Sequence, residues 1–458
     1  MKTNTKILFF LIYGSICCIA NAENSSHLQT PVETPQQPNI VLFFVDDLGW
    51  SDLEYRNPSD FESPHINQLA HEAMDFEQCY IATPTCSPSR GTLLTGKHPV
   101  RLELFRHITG GPDETFNYWK TDPAKVPSRN WLELENITYA EALKELGYYN
   151  MFIGKWHLGH EAYHPIKQGF DHQVGTTNLG NPGSYYPDYF PRSEVFQEEK
   201  SAYLTDKLTD EAVKFIKSYG EARPFMLSFW YYSVHSPHIG RKDYVQHFKD
   251  KGFEGKYAEY LAMVKSVDDS VGRIRDALKE KGIGENTILI FLSDQGGFFD
   301  NRPFRGGKMV DTLCEGGARV PFLFYWPGVT QSVKNNSIVQ STDLFPTLVE
   351  IAGGDPSSYP DLDGVSLLDV IRDNTVLDRG EPIFGYRAYE DLYASVREGN
   401  WKLLGYRSGK LELYNIFKDI KESTDLSSQH PERVARMKSM LVEWEKDMGV
   451  YKYSGFRK

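Results

Sequence analysis

The sequence predicts an α/β fold in which helices sandwich a mostly parallel central sheet, followed by a small C-terminal α+β subdomain. Short apolar runs recur along the chain, and longer segments with helical periodicity lie between them. Runs that are apolar on both faces are typical of parallel strands buried between helix layers. The chain has 458 residues, of which 40% are hydrophobic, enough to bury a large core. This alternation favours an α/β sandwich over a repeat array or a disordered chain.

The predicted elements follow one another in a regular order. The apolar runs predict strands at residues 40–45, 150–153, 225–230, 287–292 and 320–325. Apolar residues at helical spacing predict helices at 65–76, 138–146, 205–218, 257–280 and 343–352. Shorter β-type runs at 393–397, 401–404 and 410–414, with a helix at 432–447, predict the C-terminal subdomain.

Residues 1–22 have the form of a secretory signal peptide. Lys2 and Lys6 precede an apolar stretch at 7–19, and small residues form the cleavage site. The stretch is too short to span a bilayer, and no later segment is apolar enough to do so. We therefore expect a secreted or periplasmic protein without a membrane span. The alternative is a lipoprotein that carries its lipid on one of the adjacent cysteines at 17 and 18.

Three segments are expected after the signal peptide. Residues 23–38 are polar and rich in Pro, Gln and Thr, which predicts a flexible leader. The large α/β domain, which would carry any catalytic site, is expected at 39–377. The composition then changes to short β-type runs, so the smaller subdomain is expected at 378–458.

The charge of the chain narrows the choice of binding partners. Lys and Arg total 50 and Asp and Glu total 62, for a formal net charge of -12. Without a long basic run, nucleic acid is not expected as a partner.

Cleavage of the signal peptide leaves Cys79, Cys86 and Cys314, an odd number for an oxidising compartment. Cys79 and Cys314 would either pair or remain two buried thiols.

Polar and ionisable residues follow four of the predicted strands. In a parallel sheet the site lies beyond the carboxyl ends of the strands, so these residues are expected to converge. Asp46, Asp47, Asp294 and Gln295 would together offer only oxygen ligands, which Ca²⁺ or Mg²⁺ prefers. The alternative is that the Asp pair only caps a turn after its strand.

A segment that starts with Cys86, Pro88 and Arg90 at alternate positions and continues rich in Gly, Leu and Thr resembles the signature of the type I sulfatases. These enzymes belong to the alkaline phosphatase-like superfamily. The resemblance extends over nearly the whole mature chain through Asp-Asp at 46–47, Gly-Lys-Trp-His-Leu-Gly at 154–159, His-x-Pro at 235–237, Ser-Asp-Gln-Gly at 293–296, Gly-Gly-Lys at 306–308, Glu-Gly-Gly-x-Arg-Val-Pro at 315–321, and Trp-Lys-Leu and Glu-Leu-Tyr near the C-terminus.

The resemblance implies a sulfatase catalytic domain at 39–377 and covalent catalysis at Cys86. A formylglycine-generating maturation enzyme would convert Cys86 to formylglycine, whose hydrate is the nucleophile. The remaining catalytic roles implied by the match are charge stabilisation by Arg90, Lys155 and Lys308, proton removal by His157, and protonation of the departing alcohol by His235.

The resemblance also implies a bound cation, conventionally Ca²⁺, with Mg²⁺ as the alternative. Asp46, Asp47, Asp294 and Gln295 would hold it, and the hydrate formed at Cys86 would complete the shell. Gln295 departs from the Asn that is usual at this position. The Gln side chain keeps the amide oxygen of Asn but is one methylene longer, which changes where that oxygen can lie.

Export and the resemblance together suggest a sulfated carbohydrate substrate, such as an extracellular polysaccharide or its oligosaccharides. Cationic side chains near the motifs are the candidates for binding it: Arg101, Arg106, His107, His238, Arg241, Arg302 and Arg305. Aromatic residues at 185–190 would either stack on a sugar or pack within their loop. The competing functions are a phosphodiesterase or phosphonate ester hydrolase on the same fold and a non-catalytic sulfoglycan-binding protein.

Overall fold

The computed structural model describes residues 37–109, 113–122, 124–191 and 193–457. The signal peptide predicted at 1–22 and most of the predicted leader lie outside the described residues. Within the described ranges, none of the helices combines the length and apolar character needed to cross a membrane.

The elements of the described chain are numbered here in sequence order. The strands are β1 Asn39–Val45, β2 Met74–Tyr80, β3 Phe116–Asn117, β4 Ser128–Arg129, β5 Tyr149–Gly154, β6 His172–Val174, β7 Phe225–Trp230, β8 Thr287–Ser293, β9 Arg319–Val320, β10 Phe322–Tyr325, β11 Val333–Gln340, β12 Ile383–Tyr386, β13 Leu392–Glu398, β14 Trp401–Tyr406 and β15 Leu411–Asn415. The α-helices are α1 Pro64–Glu72, α2 Cys86–Thr95, α3 Tyr139–Glu145, α4 Leu204–Ser218, α5 Lys242–Asp250, α6 Gly255–Glu280, α7 Glu315–Ala318, α8 Leu344–Ile351, α9 Leu368–Asp373 and α10 Pro431–Asp447.

The central sheet has the strand order β11-β2-β10-β8-β1-β7-β5-β6, with β9 paired to β2. The β8-β1-β7-β5-β6 run is parallel throughout, and β11 is parallel to β2. The exceptions are β10, which runs antiparallel to both of its neighbours, and the short β9, which runs antiparallel to β2. The strand expected at 320–325 is divided between β9 and β10 at Pro321, which has no N–H to donate to a ladder.

Helices cover both faces of this sheet, which confirms the predicted sandwich. Alternate residues of β1 point to opposite faces and join separate apolar clusters. Ile40, Leu42 and Phe44 pack with residues of α2, α3 and α8. Val41, Phe43 and Val45 pack with residues of α1, α4 and α6. Burial on both faces explains why β1 reads as an unbroken apolar run.

The helix expected at 65–76 is shorter in the structure. It ends at Glu72, and Met74–Tyr80 is a strand between β11 and β10. The apolar residues of this strand are spaced so that they also continue the helical periodicity of α1. Pairing on both edges of β2 outweighs that local pattern, and the same strand then leads directly to α2.

The C-terminal subdomain contains an antiparallel sheet in the order β12-β13-β14-β15, covered by α10. Its apolar core includes Val396, Leu403 and Leu441 and extends to Val100 and Phe105 of the large domain. The subdomain therefore packs beside the segment that follows α2. The boundary at 377/378 stays a prediction.

Candidate active site

The ends of β8, β1, β7 and β5 form one edge of the sheet because these strands are neighbours and parallel. They are followed by Asp294, Asp46, His235 and Lys155, respectively. Backbone hydrogen bonds join the ends: the Asp294 N–H donates to Val45 O (3.1 Å), and the Asp46 N–H donates to Ser233 O (3.0 Å). The strand-end convergence expected from the sequence is therefore present in the structure.

A close approach between β5 and β7 directs Lys155 into the site. Gly154 has a φ of +106°, and a Cβ at this position would lie 2.0 Å from Trp230 O. The Lys155 N–H donates to the same carbonyl at 2.8 Å. Only glycine accommodates both the left-handed backbone and the contact, so Gly154 fixes the path of the chain into Lys155.

Asp46, Asp47 and Asp294 form a fully buried carboxylate cluster. One oxygen of each lies within 4.8 Å of the other two, and the Asp47 N–H donates to Asp294 Oδ1 (3.0 Å). Burial and the charge of Asp46 raise the pKa of Asp294 well above its ordinary value. For Asp46 the burial effect is outweighed by Lys155, His235 and Arg90, and its pKa is lowered.

Cationic side chains balance the negative charge of the carboxylate cluster. Arg90 is fully buried, donates to Asp294 Oδ2 (3.1 Å) and lies 3.5 Å from Asp46 Oδ1. Lys155 contacts Asp46, and Lys308 contacts Asp47. These ion pairs are expensive to desolvate, and removing one partner would leave a buried charge uncompensated.

The carboxylate cluster fits a hard divalent cation. Its donors are all oxygen atoms, they are converged and buried, and like charges already raise the pKa of Asp294. Gln295 reaches the cluster as well, since its Nε2 donates to Asp47 Oδ1 at 2.7 Å. As placed, Gln295 presents the amide nitrogen, so ligation through Oε1 needs the amide to be turned over.

Cys86 begins α2 and lies beside these carboxylates. Its Sγ is 3.7 Å from Asp46 Oδ1 and 3.4 Å from Gln295 Nε2. Burial alone would raise the pKa of the thiol, but Lys155, followed by His235 and Lys308, lowers it to about 5. The side chain at position 86 is therefore in an environment that stabilises negative charge.

His157 lines the site and has one ring nitrogen without a proton. Its Nε2 is 3.0 Å from Ile108 O, and because a carbonyl only accepts, this nitrogen carries the proton. Its Nδ1 is buried and has no hydrogen-bond partner among the described residues. Burial and the charge of Lys155 lower the pKa of His157 well below its ordinary value. The ring is neutral, with a free lone pair on Nδ1.

A glycine allows the ring of His157 to occupy this position. A Cβ at Gly180 would lie 2.3 Å from the ring, so the approach of the two chains excludes any larger residue. His157 itself has a φ of 56°, in the left-handed region that non-glycine residues rarely adopt. Such backbone conformations persist where surrounding contacts enforce them, and they cluster at functional sites.

The surroundings of His235 favour the charged form of its ring. Its Nδ1 donates to Ser236 O (2.6 Å), and its Nε2 lies 3.8 Å from Asp47 Oδ2. Burial would lower the pKa of His235, but the charges of Asp47 and Asp46 raise it above its ordinary value. Tyr185 holds the loop in place by donating to His235 O at 2.9 Å.

A cavity of about 710 Å³ opens over Cys86, His157, His235, Gln295 and Lys308. Its wall also includes residues that sequence reasoning missed: Trp119, Thr121, Asn181, Arg387, Tyr389 and Glu390. The last three come from the turn between β12 and β13 in the C-terminal subdomain. The Trp119 loop has no regular pattern, and only the fold brings it and the turn to the cavity.

Most of the cationic side chains expected to bind substrate lie elsewhere. His107 lines the cavity, but burial and the charge of His157 lower its pKa to about 4, so it is neutral at pH 7. Arg106 lies behind the cavity wall, 5.4 Å from the ring of Trp119. The other five are engaged away from the cavity: Arg101 pairs with Asp363, Arg241 with Asp243, Arg302 with Asp300 and Arg305 with Asp311, and His238 packs between Tyr260 and Phe298.

Two alternatives left open by the sequence are resolved by packing. Tyr185, Tyr189 and Phe190 are buried in the apolar cluster on the α6 face of the sheet, and the half-buried Tyr186 packs against Tyr203, so these rings pack within their loop and do not line the cavity. Cys79 and Cys314 are buried and unpaired, each as a free thiol.

The fold and the site together define a hydrolase of the alkaline phosphatase-like superfamily. Residues 38–354 match the model of the sulfatase family, and residues 297–447 match the model described as N-sulphoglucosamine sulphohydrolase, C-terminal. The chain belongs to the sulfatase family, and the enzyme is a sulfuric ester hydrolase.

Relatives and solved structures agree with this assignment. The N-acetylgalactosamine-6-sulfatase of Mus musculus is 33% identical over 380 residues, covering 77% of this chain and 69% of the mouse protein. A sulfatase of Formosa agariphila is 29% identical over 502 residues, covering 91% of this chain and 90% of that protein. The crystal structure of Ps i-CgsB aligns with a TM-score of 0.78 at 29% identity, covering 91% of this chain and 94% of that chain.

Proposed function

We propose that this sulfatase removes sulfate from a sulfated carbohydrate, using formylglycine formed from Cys86 and a divalent cation, conventionally Ca²⁺. The observation that carries the proposal is the position of Cys86. Its Sγ opens into the cavity within 4 Å of Asp46 and Gln295, and Lys155 lowers the pKa of its thiol. A nucleophile formed at this atom would therefore start its reaction among groups that stabilise negative charge.

The cation would be held by Asp46, Asp47 and Asp294, with Gln295 as the fourth protein ligand. It would supply positive charge beside the nucleophile and the sulfate oxygens. Arg90, Lys155 and Lys308 already balance the three carboxylates. With a divalent cation bound, the site would have a net positive charge, which suits the anionic sulfate group.

Formylglycine, as its hydrate, supplies two hydroxyl groups on one carbon, one to attack sulfur and one whose loss of a proton lets sulfate depart. Lys155 and Arg90 stabilise the negative charge of the attacking group, since both lie against the carboxylates beside Cys86. Lys308 reaches the cavity and neutralises a sulfate oxygen. These charges act best in a dry, preorganised site.

The two histidines divide the proton transfers. In its charged form, which Asp47 and Asp46 favour, His235 also carries a proton on Nε2, the nitrogen on the side of Asp47, and it would give this proton to the oxygen of the departing alcohol as the ester S–O bond breaks. His157 is neutral, and its free Nδ1 takes the proton of the second hydroxyl. The assignment uses the two rings in the protonation states that their surroundings favour.

Two known proteins support a carbohydrate substrate. One relative is named N-acetylgalactosamine-6-sulfatase. Ps i-CgsB has also been solved in complex with k-i-k-neocarrahexaose, and that structure aligns with this chain at a TM-score of 0.78 and 28% identity. The cavity of this chain is large enough for a sugar unit bearing a sulfate group.

Maturation and export are part of the same proposal. Conversion of Cys86 requires a formylglycine-generating enzyme as a partner. The N-terminal sequence at 1–22 has the charge, apolar stretch and small residues of a signal peptide, which supports a secreted or periplasmic location.

A panel of sulfate and phosphate esters tests the proposed reaction. The matured enzyme should release sulfate from sugar sulfates much faster than phosphate from the matching phosphate esters. Faster cleavage of phosphodiesters or phosphonate esters would instead support the competing hydrolase. Binding of sulfated glycans without any turnover by matured protein would support a non-catalytic role.

A further inference from the structure

The cavity contains a second group of residues that the proposed chemistry does not use. Trp119, Tyr389 and Glu390 line it together with the catalytic residues, and each is partly exposed to the cavity. None of the three contributes to the carboxylate cluster or its cations. Their chemistry differs from that of a sulfate site, since two are aromatic and the third is an acid.

Contacts with the catalytic loop hold the aromatic side chains in place. The Tyr389 hydroxyl is 3.2 Å from Thr85 Oγ1, and Thr85 immediately precedes Cys86. The rings of Trp119 and Tyr389 are 5.7 Å apart at an angle of 44°. His107 packs edge-on against Trp119 at 5.3 Å. Tyr389 is therefore held beside the residue that precedes Cys86, and the Trp119 ring packs next to Tyr389.

The carboxylate of Glu390 is held in the same part of the cavity. Glu390 accepts a hydrogen bond from Thr312 Oγ1 (3.1 Å) and lies 3.2 Å from Arg387 Nε. Its carboxylate has further lone pairs available to accept hydroxyl groups. Arg387 balances part of the charge of Glu390, but Arg387 also donates through Nη1 to Pro84 O (2.7 Å), so it is already engaged and a second carboxylate placed nearby would gain little from it.

We infer that Trp119, Tyr389 and Glu390 form the subsite for the sugar ring that carries the sulfate, and that this sugar is neutral apart from the sulfate. The inference rests on the proposed function and specifies its substrate. The C–H face of a pyranose packs on an aromatic ring, and its hydroxyl groups donate to the carboxylate. A uronic acid would place its carboxylate beside Glu390, where Arg387 is already paired, and is therefore disfavoured relative to a neutral sugar.

Binding can be measured without turnover on Cys86→Ala protein. The ligands are monosulfated galactose, fucose and N-acetylhexosamines, monosulfated glucuronate and iduronate, and inorganic sulfate, titrated by calorimetry. We expect at least one neutral sugar sulfate to bind more tightly than both uronate sulfates and inorganic sulfate. Tighter binding of a uronate sulfate, or no neutral sugar sulfate binding better than inorganic sulfate, overturns the inference.

Substitution of Trp119 separates the sugar subsite from the sulfate site. On the same background, Trp119→Ala should weaken binding of the neutral sugar sulfate about tenfold or more and leave the affinity for inorganic sulfate unchanged. Trp119→Phe should restore part of the loss, and Tyr118→Ala, an exposed neighbour outside the cavity, should have no effect. Equal losses for both ligands, or no loss for either, contradict the subsite.

Glu390→Gln tests the charge argument. The amide can still accept a hydrogen bond from Thr312 but no longer repels an anion, so the affinity for uronate sulfates should rise relative to that for neutral sugar sulfates. An unchanged ratio overturns the role given to Glu390. Because these titrations need no catalysis, failure of matured wild-type protein to release sulfate would count against the proposed function and not against this subsite.

Discussion

His157 and His235 line one cavity with their pKa values displaced in opposite directions. Each ring donates one N–H to a backbone carbonyl. In the neutral ring of His157 this leaves Nδ1 without a proton, whereas His235 carries a second proton, on Nε2, only in its charged form. Burial and Lys155 favour the neutral form of His157, whereas Asp47 and Asp46 favour the charged form of His235. These opposite shifts are what the proposed roles require, His157 as the base and His235 as the acid.

Replacement of His235 should affect substrates according to their leaving groups. General acid catalysis typically contributes about 10²–10⁴-fold, so His235→Ala should lower kcat by about this factor for a sugar sulfate. Activated aryl sulfates leave without protonation and should lose much less. Steady-state kinetics on both ester types give the comparison, with His247→Ala, an exposed histidine on α5, as the matched control. Equal losses for both substrates, or a change in KM alone, would assign His235 to sulfate positioning.

Replacement of His157 should slow the second half of the reaction. His157→Gln removes the free Nδ1, so alcohol release should continue while regeneration of the nucleophile becomes slow. Rapid mixing with an aryl sulfate should then show a burst of about one alcohol per active site before slow turnover. His172→Gln, at an exposed position on β6, should behave as wild type. A slow first turnover without a burst would show that His157 acts before the alcohol leaves.

Loss of a cluster carboxylate should remove metal and activity together. Asp294→Asn weakens the oxygen ligands and leaves Arg90 without its partner at 3.1 Å. Elemental analysis should find about one Ca²⁺ or Mg²⁺ in wild-type protein and much less in the variant. Asp250→Asn on the surface end of α5 serves as the control. An active wild-type enzyme that contains neither cation and is insensitive to chelators would disprove the metal assignment.

The site should tolerate replacement of Gln295 by the shorter amide Asn better than replacement by Ala. Its side chain reaches both Asp47 and Cys86. Gln295→Asn keeps the amide and should retain more metal affinity and more activity than Gln295→Ala. Titration of the metal-free variants with Ca²⁺ measures the affinity directly. If the two variants lose metal and activity equally, the amide of Gln295 has no role as a ligand.

The convergence of the candidate site residues was predictable because they are tied to strand ends and to one local motif. Asp46, His235 and Asp294 each follow a buried apolar run, and parallel strands bring such positions to a shared edge. The recognised signature then placed Cys86 and Arg90. The same reasoning gave the sandwich and the C-terminal sheet, since periodicity alone defines most of those elements.

The substrate side of the cavity was not predictable from local patterns. Trp119 belongs to an irregular loop, and Tyr389 and Glu390 reach the cavity only because the C-terminal subdomain packs beside the segment that follows α2. The arginines that looked like anion ligands have partners that a sequence does not place in space. Arg101, for example, pairs with Asp363, which lies 262 positions further along the chain.

The need for a modifiable side chain is tested by replacing Cys86. Cys86→Ala cannot be converted to an aldehyde and should have no turnover with any sulfate ester, while thermal unfolding and circular dichroism stay close to wild type. Cys79→Ala, at another buried free thiol, should remain active. Sulfatase activity in Cys86→Ala at the wild-type level would show that another group is the nucleophile.

The mass of the peptide that contains Cys86, taken from active protein, tests the central claim most directly. The account predicts that this residue has lost its sulfur and carries an aldehyde, which reacts with a carbonyl-specific hydrazide, and that the modified fraction rises in proportion to specific activity across preparations. Fully active protein in which every copy of this peptide retains an unmodified cysteine would contradict the account.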